Sequence, residues 1–101
     1  MEEIKLDLKD DGRGTFYILE DAEQMGEMGV KISGSNLTAY HTEVREEAEG
    51  KGLAKKLLAH MVSYSREHKL QVVPLCSYVH AQFKRHPELY ADVWKNQEGQ
   101  G

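Results

Sequence analysis

Apolar and polar residues alternate through most of the first half of the chain, which is the pattern of β-strands that bury one face. The alternating segments span residues 4–8, 14–20, 24–32 and 37–44. Glycines within and beside the third segment predict a bulged or weakened strand there. Because short polar turns separate the segments, we expect a meander of antiparallel strands.

The second half of the chain begins with a helical pattern. Apolar residues at positions 53, 54, 57, 58, 61 and 62 form one stripe of a helix predicted over residues 52–68. A short apolar strand is predicted at 70–76. Because a helix connects it to the strand at 37–44, the two strands should be parallel, with a right-handed crossover. Pro74 removes one donor from the second strand, which favours a sheet edge or a splayed end.

Two short helices complete the predicted fold, at residues 78–85 and 88–94. His86 and Pro87 separate them, because the residue before a proline avoids helical geometry. We therefore predict one compact domain over residues 1–95, of α+β class with an α/β-type second half, and a disordered tail at 96–101. In this fold an antiparallel meander precedes a β-α-β unit.

Charge and composition narrow the classes of partner. The 101 residues carry a formal net charge of −4, which argues against direct nucleic-acid binding and favours cationic partners. No apolar run is long enough to span a bilayer, and the first residues lack the pattern of a secretory signal. One cysteine allows no internal disulfide. We expect a cytoplasmic protein, small enough to enter a nucleus, that binds no membrane and is a monomer or weak dimer.

A glycine turn lies between the strand at 37–44 and the helix that follows. Gly50 and Gly52 tolerate unusual backbone angles and let an anion approach the main chain closely. The first N–H groups of a helix lack partners within it and carry partial positive charge, which favours phosphate. Lys51 and Lys55, four residues apart, lie within reach of the same anion. The turn matches neither a nucleotide P-loop nor a dinucleotide fingerprint, and a plain turn explains the glycines equally well.

The segment Glu49-Gly50-Lys51-Gly52-Leu53-Ala54 resembles the [QR]-x-x-G-x-[GA] loop that binds the pyrophosphate of acetyl-coenzyme A in the GNAT superfamily of N-acetyltransferases. The resemblance extends to about residues 14–94 through three further segments, at 41–44, 74–79 and 85–90. Their order and spacing are similar to those of the compact GNAT-like subfamily. Glu49 stands where most superfamily members have Gln or Arg, so we expect its carboxylate to point away from the phosphate.

This resemblance implies a minimal GNAT-like fold, in which two parallel strands splay apart and the pantetheine arm of acetyl-coenzyme A lies in the gap. It implies that main-chain groups near Val44 pair with the pantetheine amides, and that the acetyl thioester ends near Cys76. The coenzyme contacts that it implies are Val44, Arg45, Gly50, Lys51, Gly52, Leu53, Ala54, Lys55, Ser77 and Tyr78.

Cys76 is the first candidate for chemistry, although a free cysteine is most often a small buried hydrophobe. Superfamily members commonly have Asn-x-x-Ala-x-x-x-Tyr after this strand, and the tyrosine protonates the leaving thiolate. Here Cys76 and Phe83 hold the first and last of these positions, so that general acid is missing. Three alternatives follow: Cys76 protonates the thiolate, Cys76 takes the acetyl group itself as a thioester, or Tyr78 donates the proton.

His41 and Glu43 are the candidates for deprotonating an amine. Residues two apart on a strand point to the same face, so both side chains should lie together. A histidine or a glutamate near the acetyl group accepts the proton of the amine, directly or through water. The alternative is a sheet face whose polar residues are simply solvated.

Taken together, these features predict an acetyl-coenzyme A-dependent N-acetyltransferase whose acceptor is a protein lysine or a small amine. The acidic residues Glu46, Glu47 and Glu49 form either a solvated loop or a patch that attracts a cationic acceptor. The other four histidines, at 60, 68, 80 and 86, lack ligand-like spacing with carboxylates or thiols, so no metal is expected. The rival predictions are a non-catalytic coenzyme A-binding module, which the missing tyrosine favours, and a small interaction domain without coenzyme.

Overall fold

A computed structural model describes residues 2–95, which form one five-stranded sheet and three α-helices. The strands are β1 (Glu2–Leu8), β2 (Arg13–Glu20), β3 (Glu23–Ser33), β4 (Asn36–Val44) and β5 (Gln71–Pro74). The helices are α1 (Leu53–Glu67), α2 (Ser77–Arg85) and α3 (Pro87–Tyr90), and a 3₁₀ turn, Glu46–Ala48, follows β4. The tail predicted at 96–101 lies outside the described residues.

The strands lie in the sheet in the order in which they follow one another along the chain. β1 to β4 pair antiparallel, and β5 pairs parallel to β4 after the α1 crossover. The predicted meander and β-α-β unit are therefore confirmed. The third strand is bulged as predicted, because Met25 is an extra residue opposite β2. A second bulge lies on β4, where Tyr40 is the extra residue opposite Gly29 and Val30.

A gap opens between the two parallel strands. β5 pairs only with the first four residues of β4, from Asn36 with Gln71 to Ala39 with Pro74. β4 then continues to Val44 without a neighbouring strand from residues 2–95 on that side, while the chain leaves β5 and enters α2. Pro74 thus ends an edge strand, as its missing N–H predicts. The main-chain groups of the second half of β4 consequently face a space that none of the described strands fills.

The hydrophobic core lies between the sheet and α1. Phe16 on β2 contacts Tyr64 of α1 edge-on, with ring centroids 5.6 Å apart. The other fully buried members from these elements include Ile18, Met28, Leu37, Leu57, Leu58 and Met61. Residues that alternate with them on the strands point to the opposite face, which carries polar and at least partly exposed side chains such as Lys5, Glu27 and Glu43. The sheet therefore has one apolar face and one open polar face.

The end of the described chain differs from the sequence-based prediction. A helix was expected over residues 88–94, but α3 ends at Tyr90 and the chain then turns back along β5. Val72 donates its N–H to the carbonyl of Val93 at 2.6 Å, and Lys95 donates to the carbonyl of Val72 at 3.0 Å. Main-chain pairing with the edge strand, together with burial of Val93 and Trp94, replaces further helical turns. Within residues 2–95, no helix is long and apolar enough to cross a membrane.

Candidate functional site

The turn between β4 and α1 requires glycine at two positions. Gly50 has a φ of 91° and Gly52 a φ of 75°, in the left-handed region that side-chain-bearing residues rarely adopt. A β-carbon added at either position would meet nothing within 4 Å. The glycines are therefore needed for backbone angle, and the space in front of them is open.

The N-terminus of α1 presents main-chain donors to that space. Gly52 is the N-cap and supplies no side-chain hydrogen bond, and the first intrahelical bond runs from Lys56 N to Gly52 O at 3.1 Å. The amides of Leu53, Ala54 and Lys55 precede that bond, so they have no acceptor within the helix. The helix dipole adds partial positive charge at the same point. Open donors and positive potential together suit a phosphate group.

A hollow of about 340 Å³ connects this helix end with β4 and α2. Its lining comprises Val44, Ala48, Glu49, Gly50, Gly52, Leu53, Ala54, Lys55 and Tyr78. Most of the predicted coenzyme contacts are thus brought to one place, although they come from three separate elements. Burial raises the pKa of Tyr78, with smaller contributions from Tyr90 and Cys76, so its hydroxyl stays protonated at neutral pH and can donate a hydrogen bond.

The main chain at Val44 faces the gap beyond β4. Arg45 donates its N–H to Met25 O on β3 at 2.8 Å. Because successive residues of a strand direct their main-chain groups to opposite sides, those of Val44 point away from β3 and toward the gap. This orientation fits the predicted pairing of Val44 with an extended chain of amides.

The basic side chains near the turn have different surroundings. Lys51 Nζ lies 3.1 Å from Glu20 Oε1, so it is held at the end of β2. Lys55 lines the hollow and makes no ion pair with residues 2–95. Arg45 Nη1 contacts Glu23 at 2.8 Å and Glu47 at 3.3 Å. Lys55 is therefore better placed than Lys51 or Arg45 to meet an added anion.

Cys76 lies at the other end of the gap, as the N-cap of α2. Its side chain is only 4% exposed, and its Sγ lies 3.3 Å from Thr42 Oγ1. Its N–H donates to Ala39 O at 2.7 Å, which fixes the start of α2 against β4. Phe83, where the superfamily commonly has tyrosine, is fully buried and stacks on Tyr90 with ring centroids 4.6 Å apart. The thiol of Cys76 therefore contacts β4 through Thr42.

His41 and Glu43 share one face of β4, as predicted, and the structure adds Glu27 from β3. His41 Nε2 lies 3.1 Å from Glu27 Oε2, and ligand-capable atoms of all three side chains lie within 4.8 Å of one another. Thr42, which contacts Cys76, points to the opposite face. The three side chains are close enough to share a metal ion, which sequence spacing did not indicate because Glu27 comes from another strand. A hollow of about 490 Å³ beside Glu27 and Glu43 extends to Val44.

The two parallel strands thus splay apart, and the open N-terminus of α1 lies at the gap between them. A family model described as GCN5-related N-acetyl-transferase matches residues 15–93, and the chain belongs to that family. Enzymes of this family generally use acetyl-coenzyme A. No curated protein sequence matches the chain.

Solved structures agree with this assignment. A GCN5-like protein from Staphylococcus aureus, assigned as an N-acetyltransferase, is 25% identical with a TM-score of 0.65, covering 89% of this chain and 86% of its own. Ribosomal-protein-alanine N-acetyltransferase from Brucella melitensis biovar Abortus 2308 is 14% identical with a TM-score of 0.69. The match covers 88% of this chain and 90% of that protein. Ribosomal-protein-S18-alanine N-acetyltransferase from Escherichia coli is 12% identical with a TM-score of 0.65. The match covers 80% of this chain and 54% of that protein. The last two show the fold alone. Family and fold together identify the protein as an acetyltransferase.

Proposed function

We propose that the protein transfers an acetyl group from acetyl-coenzyme A to an amine, either a protein lysine or a small amine. The observation that carries this proposal is the open N-terminus of α1 behind Gly50 and Gly52, which shares one hollow with Val44 and Tyr78. When bound, acetyl-coenzyme A supplies the activated acetyl group. The chain's own residues then have to hold the coenzyme, take a proton from the amine and give one to the leaving thiolate.

Holding the coenzyme falls to the main chain in this proposal. Amides of residues 50–55 bind the pyrophosphate, the Lys55 ammonium adds charge, and Val44 pairs with pantetheine through groups that face the gap. Tyr78, in the first turn of α2, lines the same hollow, whereas Ser77 lines a separate hollow with His80 and Lys84. Lys51 and Arg45 contribute by side chain only if they exchange their present carboxylate partners.

Two proton transfers are assigned to different residues: Cys76 acts at the leaving thiolate, and His41 and Glu43 act at the amine. The Cys76 thiol, beside Thr42, either protonates the departing thiolate or takes the acetyl group and passes it to the amine. Tyr78 is the alternative proton donor, because its hydroxyl stays protonated. His41 and Glu43 lie on the polar face of β4 and accept the proton of an incoming amine.

Turnover with a set of amines tests the proposal. The set comprises Nα-acetyl-lysine amide, a lysine-containing peptide, n-butylamine and spermidine, with release of coenzyme A as the readout. We expect turnover with at least one of them. Binding of coenzyme A without turnover of any amine would instead support a non-catalytic coenzyme-binding module, a function that the buried Phe83 favours.

Cys76→Ala separates the roles at the reacting end. We expect turnover to fall about tenfold or more while the affinity for coenzyme A is unchanged. Intact-protein mass spectrometry after exposure to acetyl-coenzyme A alone then distinguishes the routes, since only the covalent route leaves an acetyl group on Cys76. Wild-type turnover in Cys76→Ala would remove Cys76 from the chemistry and move the test to Tyr78→Phe.

A further inference from the structure

His41 is held through one of its two ring nitrogens. Its Nε2 lies 3.1 Å from Glu27 Oε2. An ionised carboxylate can only accept a hydrogen bond, so Nε2 carries the proton of the neutral ring and Nδ1 keeps the lone pair. Glu27 thereby selects one tautomer of His41 and leaves Nδ1 as the basic atom.

The same ring lies over a residue without a side chain. A β-carbon on Gly29 would stand 2.5 Å from Cε1, 2.9 Å from Nδ1 and 3.3 Å from Nε2 of His41. Real side chains do not approach so closely, so the observed position of the ring depends on glycine at 29. A hollow of about 440 Å³ begins there, and its lining includes Gly29, His41, Tyr40 and Thr15. The ring of His41 therefore borders a space that a ligand or water can enter.

Several titratable or charged groups surround the ring. They are Glu43 and Tyr40 on β4, Glu27 on β3, Arg13 on β2 and Lys9 in the β1–β2 turn. Lys9 lies 3.8 Å from Asp7 and Arg13 lies 2.8 Å from Asp11, so both cations have carboxylate partners. The carboxylates of Glu27 and Glu43 are therefore the charged groups next to the imidazole that have no cationic side chain paired with them among residues 2–95.

We propose that Glu27 is a positioning residue for the proposed acetyl transfer, acting through His41. It anchors the imidazole so that Nδ1 receives a proton from the acceptor ammonium, directly or through water. The positive charge then rests beside Glu27 and Glu43 until the proton returns to solvent. This inference rests on the proposed function, and in it the amine approaches the gap between β4 and β5 from the polar face, on which His41 lies.

The tautomer of His41 can be measured without any turnover. Long-range ¹H–¹⁵N correlation spectra, with His41 assigned by comparison with His41→Gln, should show Nδ1 unprotonated in the neutral ring. In Glu27→Ala this preference should relax to a mixture of the two tautomers. Glu3→Ala is the control, because it removes an exposed glutamate from the same face at the far edge of the sheet. It should leave the tautomer of His41 unchanged. A proton on Nδ1 in the wild type, or an unchanged tautomer in Glu27→Ala, would overturn the inference.

Kinetics test the consequence for catalysis. With the best amine of the set above, Glu27→Ala should lower kcat about tenfold to a hundredfold and leave KM for acetyl-coenzyme A unchanged. Glu27→Asp should restore part of the rate. A wild-type kcat in Glu27→Ala would contradict the role.

Gly29→Ala provides a variant that changes no charge. The added methyl group should push the His41 ring aside and lower kcat as Glu27→Ala does. The variant protein should unfold only slightly more easily than the wild type. A wild-type kcat in Gly29→Ala would contradict the need for this ring position. If the wild-type protein acetylates none of the amines, the proposed function fails, and the tautomer measurement still decides whether Glu27 anchors the ring of His41.

Discussion

At the scale of single residues, the account depends on two glycines whose backbone angles no other residue adopts easily. Gly50 and Gly52 place the start of α1 so that its first amides face open space. Sequence reasoning predicted an anion site at this turn from residue types alone, because glycine and an amphipathic helix have strong local signatures. It did not find Glu27, since the pairing of Glu27 with Glu43 depends on a register that the bulge at Tyr40 sets.

Gly52→Ala is the residue-scale test of the anion site. The added methyl group meets no atom within 4 Å, so its cost to folding is that of the left-handed φ, about 1 kcal/mol. The methyl group enters the space where a phosphate approaches. We therefore expect the affinity for coenzyme A, measured by calorimetry, to fall about tenfold.

Gly34→Ala is the matched control for that substitution. Gly34 lies in the β3–β4 turn with a φ of 59°, and a β-carbon there would also meet nothing within 4 Å. The two variants should lose similar stability in urea, and only Gly52→Ala should lose affinity. Equal affinities for coenzyme A in both variants would argue against an anion site at the start of α1.

At the scale of elements, the end of α1 is tied to the segment that covers β5. Arg66 Nε lies 2.8 Å from Asp92 Oδ2, and Arg66 Nη2 lies 3.1 Å from Asp92 Oδ1. Gln71 of β5 donates to the carbonyl of Asp92 at 3.0 Å. These contacts hold the chain beside Val72, where sequence reasoning expected more helix. Pairing between residues far apart in sequence has no local signature, whereas the stripe of α1 does, which is why α1 was predicted closely and the end of α3 was not.

The contact between Arg66 and Asp92 predicts a dependence of stability on pH. Hydrogen bonding to Arg66 lowers the pKa of Asp92 below its ordinary value. The contribution to stability is therefore present above about pH 4 and is lost as the pH falls through the lowered pKa of the folded state. Asp92→Asn should reduce the free energy of unfolding by at most about 1 kcal/mol at pH 7, because the pair is largely exposed.

Urea unfolding at several pH values measures this effect. The difference between wild type and Asp92→Asn should disappear toward about pH 2. Asp10→Asn is the control, because Asp10 is exposed and makes no ion pair with residues 2–95. A difference for Asp92→Asn that persists undiminished in acid would show that the carboxylate charge is not its cause.

At the scale of the whole molecule, one sheet separates two environments. The hollow of the proposed coenzyme site lies at the start of α1, which covers the apolar face. His41 and Glu43 stand on the polar face. The gap between β4 and β5 is where the two sides meet. The periodicity of the sequence predicted both the order of the elements and the parallel pair that makes this gap possible.

The extent of the domain is open to a direct test. Trp94 is buried and packs near Phe83, with ring centroids 5.6 Å apart, and Lys95 pairs with β5. We propose that residues 1–95 form one domain and that Lys95 is the last residue its fold needs. A chain that ends at Lys95 should therefore unfold at the same temperature as residues 1–101. Ending the chain at Asp92 should lower the midpoint strongly, because it removes Val93 and Trp94 from the core. A large loss of stability in the chain that ends at Lys95 would place part of the fold beyond that residue.

Titration of ¹⁵N-labelled protein with coenzyme A, followed through its backbone amides, shows which amides hold the coenzyme. We expect the largest shifts on the amides of residues 50–55 and on Val44, at coenzyme concentrations that saturate binding. Shifts confined to other parts of the sheet, or none at millimolar coenzyme, would contradict this expectation.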